Sequence, residues 1–277
     1  MSNYALGHDL HFDVPTRQGR PENIFPDKQI ICALGVSSKP TYLTEEISNQ
    51  AIQEAKILYD NGIRNIMIQN VKDVPMLDCS RIETIASMTS ICLNIRKAIP
   101  SDCLMGLSLL RENGKALVAI AQAASLDYIR PKCYVGAVIN HDGIHEGIVN
   151  DVLQAKIELQ SNVEIMPDIF ERTSSALGNF TLIEAVGQAT SFGLAKCINL
   201  AGRNFEESIQ MAKEVRKAFP NLKIYLGGGA NLNNLEEVLK YFDGVHVASC
   251  LKDSGNMTGK YDENKIKAFM AKYQDLL

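Results

Sequence analysis

The stretch KIYLGGGANLNNLEEVLKYFDGVHVA, residues 223–248, contains a complete strand–helix–strand repeat. The apolar run Lys223–Leu226 predicts a short buried strand, and the glycines after it predict a turn. Apolar residues then recur at helical spacing over Leu232–Tyr241, and Gly244–Ala248 predicts the next strand. Since parallel strands are joined by crossover helices, this unit indicates an α/β fold with a parallel sheet.

The same alternation extends through the chain from Gln29 to the C-terminus. The other predicted strands are Gln29–Val36, Asn65–Gln69, Cys103–Leu109, Tyr128–Arg130, Val163–Pro167 and Ala195–Leu200. The other predicted helices are Thr44–Asn61, Arg81–Ala98, Gly114–Ala124, Gly147–Gln160, Phe180–Phe192, Asn204–Phe219 and Asp262–Leu276. Eight such repeats favour a single (β/α)8 TIM barrel of the phosphate-binding type over residues 28–277. The alternative is an open doubly wound sheet, but no GxGxxG follows the first strand.

Residues 1–27 differ from the rest of the chain. They contain Pro15, Pro21 and Pro26 and have no apolar periodicity. We interpret them as an N-terminal arm that is ordered only if it packs on the barrel or on a neighbouring subunit. Because the arm could pack on a neighbouring subunit, we hypothesise that the protein forms a homo-oligomer.

Composition excludes several classes of protein. The 277 residues are 46% hydrophobic and carry a formal charge of −4, so no basic surface for nucleic acid or an anionic membrane is expected. No signal peptide and no apolar run of roughly 18 residues is found, which predicts no membrane insertion. Seven scattered cysteines without a CxxC pair indicate reduced thiols, a cytoplasmic location and no zinc site. We predict no metal and no cofactor.

The loops after the seventh and eighth strands predict a phosphate site. Gly228 and Gly229 expose backbone N–H groups, and Asn231 is expected to cap the next helix. Ser249 and Lys252 follow the eighth strand and add a hydroxyl and an ammonium group. In TIM barrels these two loops are the recurrent phosphate site. The structural alternative is a tight turn that needs positive φ angles.

Polar residues at the other strand ends are the candidates for catalysis, because the carboxyl ends of the strands share one rim. We expect Asp168 to act as general base or acid, with Asn70 beside it, Asp73 as a further base or a metal ligand, and Arg130 binding an anion. Two structural alternatives stay open: an ion pair between Arg130 and Asp168, and a turn formed by Asp73. The predicted substrate contacts are Gln69, Ser108, Arg111 and Asn199.

The segment 140–147 contains His141, Asp142, His145 and Glu146. Gly143 interrupts the spacing that a helical metal site needs, so we interpret the segment as a flexible active-site loop.

Taken in order, several motifs resemble the BtpA family, which includes a protein linked to photosystem I biogenesis and SgcQ-type proteins of sugar operons. The motifs that carry the resemblance are Gln69–Pro75, Ala86–Thr89, Gly106–Arg111, Tyr128–Arg130, Gly136-Ala137, Gly143 with Glu146-Gly147, Asp168, Gly227–Gly229, Asp243-Gly244, Leu251-Lys252 and Asp262. The resemblance implies a barrel enzyme that acts on a phosphorylated small molecule, such as a sugar phosphate or nucleotide fragment. Isomerisation, lyase chemistry and glycosidic cleavage stay open.

Departures from the family pattern favour a second hypothesis. Gln69 stands where the family has a glutamate, and Pro131 stands where it has an asparagine. Other departures are Leu34, Ser108, Glu112-Asn113, Arg172-Thr173 and the displaced acid near Asp142. These changes are consistent with a non-catalytic assembly or scaffold protein whose active site has been vacated.

Overall fold

The computed structural model describes residues 10–39, 44–73, 75–76 and 81–277. Cys79 and the first nine residues of the predicted arm lie outside these ranges. The strands are β1 (Gln29–Gly35), β2 (Asn65–Gln69), β3 (Leu104–Ser108), β4 (Tyr128–Ile129), β5 (Ala137–Asn140), β6 (Gly143–Glu146), β7 (Glu164–Ile165), β8 (Asp168–Ile169), β9 (Ser175–Ala176), β10 (Cys197–Leu200), β11 (Lys223–Leu226) and β12 (Gly244–Val247). The helices are α1 (Thr44–Asp60), α2 (Ile82–Ala98), α3 (Gly114–Ala123), α4 (Val149–Glu158), α5 (Leu182–Ser191), α6 (Phe205–Ala218), α7 (Leu235–Tyr241) and α8 (Glu263–Asp275), with a 3₁₀ turn at Ser249–Leu251.

The parallel strands close into a barrel, which confirms the predicted fold. β1 pairs with β2 on one side and with β12 on the other, so the first and last strands are neighbours. The remaining gap is filled by the fifth repeat, because β7 pairs with β4 and β8 pairs with β10. Only Met166 and Pro167 separate β7 from β8. The doubly wound alternative, in which the edge strands stay unpaired, is therefore excluded.

The predicted end of the fifth strand needs correction. The sequence predicted that this strand ends at Pro167, whereas the strand resumes as β8 and includes Asp168. Proline lacks an N–H donor and interrupts the pairing, but its carbonyl oxygen accepts from the Asn199 N–H at 2.8 Å. Asp168, which was predicted to end the fifth strand, therefore lies in the continuation of that strand in the barrel wall.

Local sequence explains where the helices begin. Asn113, Thr181, Asn204 and Asp262 each accept a hydrogen bond from a backbone N–H of the helix that follows. The predicted cap at Asn231 is wrong, since α7 begins three residues later than expected and Asn234 occupies the position before it. None of the helices in the described ranges is both long and apolar enough to cross a bilayer.

Two apolar layers form the core. The larger one lies between the strands and the surrounding helices, and a smaller cluster fills the inside of the barrel. Phe25 from the arm belongs to the inner cluster, where its ring packs edge-on against Tyr128 at 5.8 Å and Tyr225 at 6.2 Å. Ile24 is buried beside it. The arm thus closes the barrel at the end where the strands begin.

Polar contacts fix the preceding part of the arm on the same chain. Phe12 exchanges two backbone hydrogen bonds with the side chain of Asn162, at 2.8 and 2.7 Å. Arg17 and Arg20 both bind the buried carboxylate of Asp127 at 2.8 Å. Residues 10–27 are therefore ordered by their own barrel. The boundary at residues 27 and 28 and the homo-oligomer both stay predictions.

A small antiparallel sheet lies in the loops that follow β4 and β8. β5 pairs with β6 to form a hairpin, and β9 adds a third strand. This hairpin replaces the flexible loop that was predicted over residues 140–147. His141 and Asp142 form the turn between its strands, and Gly143, at φ +117°, begins the second strand.

Candidate functional site

The glycine loop after β11 has a backbone conformation that favours glycine and leaves N–H groups free. Gly228 and Gly229 have φ values of +147° and +90°, which favour glycine. Within the described residues, their backbone N–H groups have no hydrogen-bond acceptor, whereas Gly227 donates to the carbonyl oxygen of Leu200. Because glycine has no side chain, these two free N–H donors are accessible to an anion.

A cationic side chain that sequence reasoning did not select lies beside this loop. A terminal nitrogen of Arg172 lies 3.9 Å from the position that a Cβ atom on Gly228 would take. Arg172 is exposed, and in the described part of the chain no hydrogen bond or ion pair engages its guanidinium group. An unpaired guanidinium next to free N–H groups is a suitable partner for phosphate.

The two other predicted phosphate residues differ in position. Ser249 begins the 3₁₀ turn after β12, the neighbour of β11, and is half-buried. Lys252 is fully buried, donates to the carbonyl oxygen of Met257 at 2.7 Å and lies 4.9 Å from the ring of Tyr261. Burial lowers the pKa of its ammonium group. These contacts argue against the phosphate contact predicted for Lys252.

Arg130 and Asp168 form a buried ion pair, the structural alternative that the sequence left open. The guanidinium donates to both carboxylate oxygens at 2.7 and 3.2 Å, and the two side chains are 4% and 3% exposed. Arg130 also donates to the carbonyl oxygen of Gly227 at 3.2 Å, and Lys132 binds Asp168 at 2.8 Å. Burial alone would raise the pKa of Asp168, but the charges of Arg130 and Lys132 outweigh it and hold that pKa below its ordinary value. Such a carboxylate is a poor proton acceptor and a good support for Arg130.

Further polar groups lie inside the barrel close to this pair. Ser108 donates to the carbonyl oxygen of Arg130 at 3.0 Å, and Asn199 donates to that of Met166 at 3.0 Å. Both are buried, as is His246, which burial keeps neutral by lowering its pKa. These contacts give Ser108 and Asn199 a part in supporting the strand ends.

Asn70 and Asp73 hold neighbouring loops together. Asp73 accepts from the Ser37 hydroxyl and the Ser38 N–H at 2.8 Å each, and from the Asn70 amide at 3.1 Å. Asn70 exchanges two more hydrogen bonds with the backbone of Leu110, at 2.7 and 2.8 Å. Both side chains are almost fully buried. This saturation argues against the catalytic roles predicted for them.

A pocket of about 230 Å³ opens between the strand ends and the hairpin, and we call it the mouth pocket. Gln69 and Arg111, two of the predicted substrate contacts, line it. Arg130 and Asp168 do not line the pocket. They are connected to it through Lys132, which lines the pocket and binds Asp168. The polar groups that line the pocket also include Glu112, Asn140, His141, Asp142, His145, Glu171, Thr173 and Ser174.

The inner face of the hairpin contributes a hydrogen-bonded Asp–His pair to the mouth pocket. Nε2 of His145 lies 2.9 Å from Oδ1 of Asp142, and Nε of Arg111 lies 3.1 Å from Oδ2 of the same carboxylate. The bond to His145, together with the charge of Arg111, lowers the pKa of Asp142. Val138, opposite His145 in the register of the hairpin, lines the pocket from the same face.

Glu112 lines the same pocket and was not selected from the sequence. Its carboxyl group accepts hydrogen bonds from the backbone N–H groups of Lys132 and Cys133. Burial raises its pKa to about 8, although these two bonds and the ammonium of Lys132 favour the ionised form. A carboxyl group that titrates near neutral pH in a pocket is a candidate acid or base. In the sequence, Glu112 was distinguished only as a departure from the family pattern.

Comparison with known proteins identifies relatives of this sequence. A family model described as the BtpA family matches residues 32–275. The photosystem I biogenesis protein BtpA of Synechocystis sp. is 28% identical over 232 residues, which cover 81% of this chain and 78% of that protein.

Solved structures support the barrel. Phosphoribosyl anthranilate isomerase from Thermus thermophilus aligns with a TM-score of 0.54 at 13% identity, over 90% of this chain and all of that one. KDPG aldolase from Legionella pneumophila aligns with a TM-score of 0.52 at 13% identity, over 91% of this chain and 95% of that one. At this identity the likeness shows the fold alone.

Proposed function

This chain belongs to the BtpA family, and we propose that it is an enzyme that binds a phosphorylated small molecule at the carboxyl end of its barrel. The unpaired guanidinium of Arg172 beside the glycine loop carries this proposal. The phosphate contacts the N–H groups of Gly228 and Gly229, the Arg172 side chain and the Ser249 hydroxyl. Isomerisation and lyase chemistry are the reaction types that the mouth pocket favours.

The segment after β8 connects the proposed phosphate site to the mouth pocket. Arg172 lies next to Gly228, while its neighbours Glu171 and Thr173 line the pocket. The glycine loop and the pocket therefore lie on the same rim of the barrel. A molecule anchored by its phosphate at the glycine loop can extend into the pocket. Binding energy from the phosphate then orients the rest of the molecule for reaction.

The buried ion pair of Arg130 and Asp168 supports the glycine loop from inside the barrel. Arg130 donates to the carbonyl oxygen of Gly227 and so holds the first residue of the glycine loop. A Cβ atom on Gly227 would lie 3.1 Å from that guanidinium, which explains the third glycine. We assign Asp168 the role of fixing Arg130, in place of the proton transfer expected from the sequence.

Calorimetric titration with inorganic phosphate and with ribulose 5-phosphate tests the phosphate site. Arg172→Gln removes one charge-assisted contact, worth about 1.5–3 kcal/mol, so both affinities fall about tenfold to a hundredfold. The matched control is Arg64→Gln, which removes the same charge near the start of β2 at the other end of the barrel. Equal binding by the Arg172 and Arg64 variants, or binding of neither probe by the wild-type protein, contradicts the proposal.

An assembly role without catalysis is the second candidate. The saturated contacts of Asn70 and Asp73 favour it, because they occupy strand-end groups that an enzyme commonly uses. The family relative in Synechocystis is described as a photosystem I biogenesis protein. A scaffold role predicts that Arg172→Gln leaves phosphate binding unchanged or that no phosphate binds.

A further inference from the structure

We propose that His145 and Glu112 form a proton-transferring pair in the mouth pocket, which acts on a small phosphorylated hydroxy ketone. The phosphate requirement rests on the proposed function. The proton-transfer step rests on the hairpin and on the contacts inside the pocket.

His145 has the geometry of an oriented base. Its Nε2 is hydrogen-bonded to Asp142, and Arg111 holds that carboxylate from the other side. This bond assigns the proton to Nε2 and leaves Nδ1 as the nitrogen able to accept a proton. Among the described residues, no hydrogen bond engages Nδ1. Asp142 acts as a positioning residue, as the carboxylate partner of a catalytic histidine does.

Glu112 has the surroundings of a proton donor. Two backbone N–H groups fix its carboxyl group in the wall of the pocket. Because both donors belong to the backbone, they hold the carboxyl group in a defined position. Burial raises the pKa of this carboxyl group to about 8, which favours its protonated form near neutral pH. Lys132 lines the same wall, where its ammonium group is paired with Asp168 at 2.8 Å.

The charges around the pocket favour this pair over two carboxylates. Glycosidic cleavage commonly uses two carboxyl groups. The other carboxylates of the pocket are held by cations, Asp142 by Arg111 and Glu171 by Lys132 at 3.8 Å. One imidazole and one protonated carboxyl group instead suit proton abstraction next to a carbonyl group.

The step balances without a further reactant. His145 takes the proton from the carbon next to the carbonyl group, and the electron pair of that C–H bond forms a carbon–carbon double bond. The carbonyl oxygen receives the displaced pair and the proton of Glu112, which gives an enediol. His145 then returns its proton to one of the two carbons, while the Glu112 carboxylate takes the proton from the hydroxyl group on the other carbon. Protonation of the original carbon restores the starting ketone, and protonation of the former carbonyl carbon gives its isomer.

The size of the pocket limits the substrate. At about 230 Å³ it is smaller than the roughly 300–1,000 Å³ of sites for drug-sized ligands. Its apolar wall contains Leu109, Leu110 and Val138, which exclude water from one side of the ligand. A short hydroxy ketone fits this space with its phosphate outside, at the glycine loop.

Deuterium exchange tests the proposal directly. The full-length protein is incubated in D2O with dihydroxyacetone phosphate or ribulose 5-phosphate, and loss of the proton next to the carbonyl group is followed by NMR. Wild-type protein is expected to catalyse exchange, and His145→Gln and Glu112→Gln each to slow it by roughly a hundredfold or more. Asp142→Asn is expected to lower the rate at saturating probe while KM stays within about twofold.

Glu146→Gln is the matched control, because Glu146 lies on the same hairpin, is exposed and does not line the pocket. Its exchange rate is expected to equal that of the wild type. If a probe binds in calorimetry but exchanges no faster than in buffer, or equally fast with the His145 and Glu112 variants, the proton-transfer proposal is overturned and the phosphate site stands. If neither probe binds, both proposals fail.

Discussion

At the scale of single residues, the pairing of Arg130 with Asp168 determines how the rim is built. Asp168→Asn leaves the guanidinium of Arg130 buried without its counter-charge, which costs about 3–5 kcal/mol in the free energy of unfolding. Urea denaturation measures this loss. Glu171→Gln removes a half-exposed partner of Lys132 and is expected to cost less than about 1 kcal/mol. Equal stabilities of the two variants would contradict the structural role of Asp168.

The same pair predicts a dependence of stability on pH. The pKa of Asp168 is lower in the folded than in the unfolded chain, where it is about 3.9. The stability that the ionised Asp168 carboxylate contributes is therefore fully present above the unfolded pKa and is lost as the pH falls through the folded pKa. The difference in unfolding free energy between wild type and Asp168→Asn should be largest at neutral pH and shrink below about pH 4. A difference that stays constant in acid would show that the charge is not its source.

At the scale of elements, the arm is part of the core. Phe25 is buried against Tyr128 and Tyr225 inside the barrel, so Phe25→Ala is expected to cost about 3–5 kcal/mol in urea denaturation. Phe192→Ala, at the exposed end of α5, is the control and should change stability by about 0.5 kcal/mol or less. An equally small effect of Phe25→Ala would mean that the arm is not needed to close the barrel.

The elements that could be predicted from the sequence are those set by local signals. The repeats were recognisable because buried parallel strands are continuously apolar and helices have a 3.6-residue period. The hairpin over 137–146 was missed, since its strands are half-exposed and carry the histidines and carboxylates of a loop. The arm was only conditionally predicted, because its order depends on contacts with Asp127 and the barrel interior, which are distant in sequence.

At the scale of the whole molecule, topology predicted the rim but not the contacts on it. Parallel strands bring their carboxyl ends together, so the position of the candidate residues followed from the fold. Their roles did not follow, because a carboxylate such as Asp73 or Asp168 looks the same in sequence whether its oxygens are free or saturated. Arg172 and Glu112 acquire their significance only from neighbours that folding supplies, the glycine loop and the N–H groups of Lys132 and Cys133.

The central claim is that a phosphate group binds where the glycine loop meets Arg172. A crystal structure of the full-length protein with ribulose 5-phosphate tests it most directly. We expect phosphate density within hydrogen-bond distance of the N–H groups of Gly228 and Gly229 and of the Arg172 guanidinium, with the sugar carbons extending into the mouth pocket. Phosphate density at another site, or an empty loop at a ligand concentration well above the dissociation constant, would contradict it.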